Sequence, residues 1–165
     1  TSGTTALGID ARLLGNALTM VGNSGANSLQ GTAFGDIIQG NAGNDALSGH
    51  GGNDLLNGGL GLDSLDGGEG GDIYVVSALS EKSAAEIADS GLSGADEVRF
   101  AATSAAATLV LFAGDTGVER VVIGTGTAAS AVTTGTLAHG IDARALGNAV
   151  TLVGNSGANI LHATS

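Results

Sequence analysis

The 165-residue sequence contains no cysteine, no proline and no tryptophan, and its aromatic residues are three phenylalanines and one tyrosine. Without cysteine the redox compartment cannot be read from disulfides. A chain this poor in large side chains does not suit a conventional globular core; small, apolar and β-branched residues with glycine suit a solenoid better. Positive charge is also scarce, with 5 Lys+Arg against 16 Asp+Glu and a net charge of −11. That balance disfavours nucleic acid and anionic membrane partners and favours a cation. No apolar run is long enough to span a membrane, so no membrane insertion is expected, and no N-terminal signal peptide is present. Enzyme signatures are missing as well. There is no His-Glu-x-x-His zinc motif and no Gly-x-Ser-x-Gly elbow. His50, His139 and His162 are scattered, and the glycine run 68–71 lacks the lysine of a phosphate loop. The chain is therefore expected to be non-catalytic.

Glycine, by contrast, is abundant, at 30 residues, and it is periodic. Six consecutive nine-residue blocks begin at Gly22, Gly31, Gly40, Gly49, Gly58 and Gly67. Each has Asp or Asn at position 6 (Asn27, Asp36, Asp45, Asp54, Asp63, Asp72) and a large apolar residue at position 8 (Leu29, Ile38, Leu47, Leu56, Leu65, Tyr74). Glycine at position 1, and often at 4 (Gly43, Gly52, Gly61), suggests positive φ in a tight turn. Asn23 and Asn41 stand at position 2, where Asn is the next most tolerant residue. The last three residues read as a short strand whose position 8 points inward while 7 and 9 point outward. Position 7 alternates between small residues (Ser28, Ala46, Ser64) and apolar ones (Ile37, Leu55, Ile73), so one outer face carries an apolar ladder that needs a cover.

These blocks resemble the GGxGxDxUx nonapeptide of RTX (hemolysin-type) calcium-binding repeat proteins. The resemblance implies an all-β fold, a right-handed parallel β-roll or β-helix (a solenoid) with calcium bound in the turns. In that family two blocks form one coil, and each Ca²⁺ lies between the turns of blocks n and n+2. The position-6 carboxylates and turn carbonyls hold it. Carried over, the pairs Asp36/Asp54, Asp54/Asp72 and Asp45/Asp63 give three sites, and Asn27/Asp45 gives a fourth, weaker one. The turn glycines Gly40, Gly43, Gly49, Gly52, Gly58, Gly61 and Gly67 line them. Block two departs from the pattern with Thr32 and Phe34 at glycine positions, which puts the Asp36 turn in question. Physically, stacked carboxylates repel, and a hard, oxygen-seeking cation such as Ca²⁺ removes that repulsion.

A longer repeat frames the shorter one. Residues 8–33 recur as 140–165, an offset of 132, with 19 of 26 positions identical. Four segments follow: lead-in strands (1–21), the nonapeptide roll (22–75), a β connector of the same unit (76–132) and the opening of the next unit (133–165). The lead-in predicts strands near Leu7–Ala11 and Ala17–Val21, repeated at Ile141–Ala143 and Ala149–Val153, with a helix over 10–18 as the alternative. The connector predicts strands at Glu86–Ala88, Glu97–Phe100, Thr108–Phe112 and Val118–Ile123, or a brief helix at Ser83–Asp89. Ile73-Tyr-Val-Val and Val118-Glu-Arg-Val-Val-Ile-Gly resemble the strands that link rolls in large hemolysin-type proteins. The opening at Thr1 reads as a piece cut from a tandem array. The leading functional reading is a calcium-binding structural repeat of a large secreted or surface-attached bacterial protein (adhesin, biofilm or surface-layer-like) that folds outside the cell. The alternative is an accessory folding and secretion module of a secreted enzyme or toxin. Its partners would be calcium ions and neighbouring repeats of the same chain. The second copy's Asn159 turn is expected to take no metal, leaving a free edge for fraying or end-to-end self-association.

Overall fold

Each nine-residue block forms half a coil, as its alternation of glycine turn and apolar beat requires. A computed structural model describes residues 3–84, 86–103, 107–126 and 131–164. The lead-in contributes β1 (Gly8–Asp10) and β2 (Thr19–Val21), and the roll contributes β3 (Ser28–Gln30), β4 (Ile37–Ala42), β5 (Ala46–Gly51), β6 (Leu55–Leu60), β7 (Ser64–Glu69) and β8 (Ile73–Val76). The connector adds β9 (Asp96–Phe100), β10 (Thr108–Val110) and β11 (Val118–Ile123), and the second copy adds β12 (Gly140–Asp142), β13 (Thr151–Val153) and β14 (Ile160–His162). Among the described residues the only helical turn is a single 3-10 turn at Leu79–Glu81; the helices considered over 10–18 and 83–89 do not form there.

All paired named strands are parallel. One wall is a seven-stranded sheet in the order β13-β11-β9-β8-β6-β4-β2. The opposite wall is formed by β1-β3-β5-β7 and β10-β12-β14. Single bridges from Leu65 to Ile87 and from Ala88 to Thr116 lie between those two pieces. Register follows the n/n+2 rule: Ile37 pairs with Leu55 and Leu55 with Ile73, while Ser28 pairs with Ala46 and Ala46 with Ser64. The fold is thus a parallel β-solenoid.

The position-8 column is the core. Leu29, Ile38, Leu47, Leu56, Leu65 and Tyr74 are buried and continue into Met20, Val98, Leu109, Val121 and Ile141. On the outer face Leu55 is buried, while Ile37 on the next strand is 42% exposed. The connector lengthens the same sheet, with Glu97 in register beside Ile73 and Arg120 beside Glu97.

The glycine reading needs one correction. Positive φ occurs at positions 2 and 4, not at position 1. Asn41, His50, Gly59 and Gly68 take it at position 2, and Gly43, Gly52, Gly61 and Gly70 at position 4. The position-1 glycines are required for close approach, as described below. Asn23 is also not left-handed; its Oδ1 accepts the Gly25 N–H at 2.8 Å, closing the turn with a side chain. Thr32 does the same in block two, its hydroxyl accepting the Phe34 N–H at 3.0 Å.

Candidate metal columns in the turns

Strand pairing at an 18-residue offset forces every position-6 side chain under the one two blocks earlier. Along one edge the N–H of Leu18 donates to Asp36 Oδ1 (2.6 Å), that of Asp36 to Asp54 Oδ1 (2.6 Å) and that of Asp54 to Asp72 Oδ1 (2.7 Å). Along the other, the N–H of Asn27 donates to Asp45 Oδ1 (2.7 Å) and that of Asp45 to Asp63 Oδ1 (2.8 Å). Each pair named from the sequence is therefore brought together, and all six side chains are buried.

The second carboxylate oxygens behave differently. Oδ2 of Asp45, Asp54, Asp63 and Asp72 is buried and accepts no hydrogen bond. A Cβ added to Gly40, Gly49, Gly58 or Gly67 would overlap the Oδ2 of its own block. At Gly40 and Gly49 the carbonyl oxygens of Gly58 (2.6 Å) and Gly67 (2.7 Å) converge on the same space. Orphaned anionic oxygens facing carbonyl oxygens, with no donor, form the donor set of a hard cation. Gly43, Gly52 and Gly61 allow the close stacking of the coils, since at each apex a side chain would meet the backbone of the turn below.

Two turns depart from this arrangement. Asp36 Oδ2 accepts the Thr32 N–H at 2.6 Å, so both of its oxygens are engaged. Asn27 supplies N–H donors itself: Nδ2 donates to Gly25 O (2.6 Å) and Asp45 Oδ1 (2.8 Å), with longer contacts to Asn23 O (3.2 Å) and Gly40 O (3.4 Å). Its amide hydrogens thus meet the carbonyls, while its Oδ1 is buried and accepts no hydrogen bond. Asn159 repeats this towards Gly157 O (2.7 Å) and Asn155 O (3.0 Å).

The column continues beyond the six blocks, which sequence reasoning missed. The Asp72 N–H donates to Asp96 Oδ1 at 2.7 Å, and the Asp96 N–H to Glu119 Oε2 at 2.9 Å. The signal was present in Gly91-Leu-Ser-Gly94-Ala-Asp96-Glu-Val98, a seventh block displaced from the register by the insertion before it. On the other edge a protein cation follows Asp63: buried Lys82 Nζ pairs with Asp115 at 2.8 Å, beside buried Glu86. The pairs Asp10–Arg12 and Asp142–Arg144 are surface ion pairs, as their recurrence suggested.

Burial pushes Asp54, Asp72, Asp96 and Glu86 up to about 7, and Asp63 upward as well. Folded values above the ordinary 3.8 or 4.5 mean that the metal-free fold prefers these groups protonated. Their contribution is fully present below about pH 4 and is lost as pH rises through about 7. The metal-free chain is therefore expected to be more stable at pH 5 than at pH 8. With calcium the sign reverses, because ligands must be deprotonated and affinity rises with pH. The folded fraction by circular dichroism at both pH values, with chelator and with calcium, checks this; a chelated sample that is more folded at pH 8 than at pH 5 refutes it.

Residues 21–56 and 45–74 match the family described as the RTX calcium-binding nonapeptide repeat, in four copies. No curated protein and no solved structure matches the chain.

Proposed function

Because residues 21–74 are RTX calcium-binding nonapeptide repeats, we propose that this chain is a calcium-dependent structural unit of a longer extracellular repeat protein. The observation that carries this reading is the set of four buried, unpartnered Oδ2 atoms stacked along two edges of the roll. Asp54/Asp72 and Asp45/Asp63 hold the stronger ions. Asp36 reaches its site with both oxygens already hydrogen-bonded, so Asp36/Asp54 is the weakest of the three. Asn27/Asp45 is the weaker fourth site, since Asn27 brings no charge and its Nδ2 serves the carbonyls and Asp45 there, while its Oδ1 is buried without a partner. Bound Ca²⁺ would supply charge neutralisation; the aspartates and glycine carbonyls position it and exclude water.

Support for an array comes from β12–β14, which repeat β1–β3 after 132 residues and stack on β10 and β11 of the preceding unit. One unit contributes six strands (β2, β4, β6, β8, β9 and β11) to the long wall. At about 4.8 Å per strand each unit advances the solenoid by roughly 29 Å. Arrays of this kind extend reach and multiply weak contacts, which suits an adhesin, biofilm or surface-layer-like protein. The free edge of β14, where Ile160 is 66% exposed, is the surface at which a further unit or a second copy would add.

Calcium titration by calorimetry tests the pairing. Asp54 serves two sites and Asp63 one, so Asp54→Ala is expected to remove two ions and Asp63→Ala one. Equal losses would show that the n/n+2 assignment is wrong.

A further inference from the structure

Asp72, Asp89 and Asp96 bring three carboxylates together where the roll meets the connector, with ligand atoms all within 4.8 Å of one another. Only Asp72 belongs to the nonapeptide blocks. Asp96 closes the displaced seventh turn, and Asp89 arrives from the segment before it. The stacking of this turn repeats that of the roll. Gly94 (φ 96°) lies on Gly70 as Gly70 (φ 129°) lies on Gly52, each so close that a side chain would strike the carbonyl below.

A group of acidic residues alone would mean little, since solvent can separate their charges. Here two of the three are enclosed and Asp89 is half-buried. Asp72 is 0% exposed and Asp96 5%, and Asp72 Oδ2 has no hydrogen-bond partner. Asp89 is held rather than free: its Oδ1 accepts from the Tyr74 hydroxyl (2.7 Å) and the Gly68 N–H (3.0 Å), and its Oδ2 from the Gly91 N–H (3.1 Å). None of the ion pairs among the described residues involves these three carboxylates. Three negative groups at such spacing, with one oxygen orphaned and no protein cation, require a counter-charge.

We propose that Asp72, Asp89 and Asp96 form a further divalent-cation site, selective for calcium, that fastens the connector to the end of the roll. It rests on the reading of the turns as calcium sites, but takes two of its three ligands, Asp89 and Asp96, from outside the repeats. Oxygen-only ligation with a high carboxylate count suits Ca²⁺, which accepts irregular geometry that Mg²⁺ does not. The consequence is structural. The six-residue insertion that lengthens the step from Asp72 to Asp96 to 24 residues would otherwise leave the displaced block without a cation at its turn. Asp89 spans that insertion and reports on it through Tyr74.

Tyr74 makes the site measurable, because it is the only tyrosine in a chain without tryptophan. The experiment uses the full chain, with calcium binding by calorimetry and terbium emission sensitised through Tyr74 as readouts. Asp96→Asn keeps an acceptor oxygen for the Asp72 N–H, and Asp89→Asn keeps one for the Gly68 N–H and the Tyr74 hydroxyl while giving up only the 3.1 Å bond from Gly91. Each is expected to bind one calcium fewer than the unaltered chain and to lose terbium emission, while Asp63→Asn keeps most of that emission. If the unaltered chain binds no calcium, the reading of the turns fails. If it binds calcium and Asp89→Asn binds the same number with unchanged emission, the further site is overturned. Asp89 lies outside the stacked column, so this variant decides the matter even if Asp96→Asn does not fold.

Discussion

Chelation is expected to unfold the roll, with β-type circular dichroism lost on removing calcium and recovered on restoring it. The cause lies in the columns. Asp36, Asp54 and Asp72 repeat at strand spacing, and at about 4.8 Å two carboxylates repel by roughly 1 kcal/mol in water and about 3–4 kcal/mol at an effective dielectric of 20. These groups are buried, and four of the Oδ2 atoms have no donor. Opposing them is a core only one side chain deep along each wall. Each ion that binds the folded state alone adds about 1.4 kcal/mol at ten times its Kd and about 2.7 kcal/mol at a hundred times. Three or four ions thus reach the size of a typical net stability, about 5–15 kcal/mol. Affinities are expected in the range of extracellular modules, roughly 10⁻⁴–10⁻³ M. A chelated sample with the spectrum and melting temperature of the calcium form would sink the account.

Lys82→Met is expected to destabilise the chain by about 3–5 kcal/mol even at saturating calcium. Lys82 and Asp115 form an ion pair at 2.8 Å whose side chains are 2% and 0% exposed. Nζ also donates to Ser83 O at 2.6 Å and lies 5.4 Å from the centre of the Phe112 ring. Asp115 in turn accepts the N–H groups of Phe112 (2.8 Å) and Ile87 (3.2 Å), tying together the connector strands on that edge. Removing the ammonium strands a buried carboxylate close to Glu86. Lys82→Met combined with Asp115→Asn removes both charges and is expected to recover part of the loss. Urea unfolding in calcium measures both; a single-variant loss below about 1 kcal/mol would show that water already screens the pair.

The roll was legible because its determinants are local and periodic. Gly at position 1, Asp at 6 and Leu or Ile at 8 specify turn, carboxylate column and core within nine residues. Strand pairing then places Asp36 over Asp54 and Asp45 over Asp63 without any distant contact. The 132-residue repeat likewise declared β12–β14 as copies of β1–β3. Asp96 was hidden because a 24-residue step replaces the 18-residue one, and periodic reading stops where the period does. Which glycines take positive φ also escaped, since position 1 owes its glycine to the next coil's carbonyl and its own aspartate's oxygen rather than to its dihedral angle. Whether Asn27 accepts or donates at its turn depended on carbonyls from Gly25 and Gly40. The meeting of Lys82 with Asp115, and of Asp89 with Tyr74 and Asp72, joins residues 33, 15 and 17 positions apart with no repeat to announce them. Sequence alone determined the solenoid and its columns of aspartate. Tertiary structure decided how each column ends, because the last turn has no following block and must find its counter-charge wherever the connector brings one.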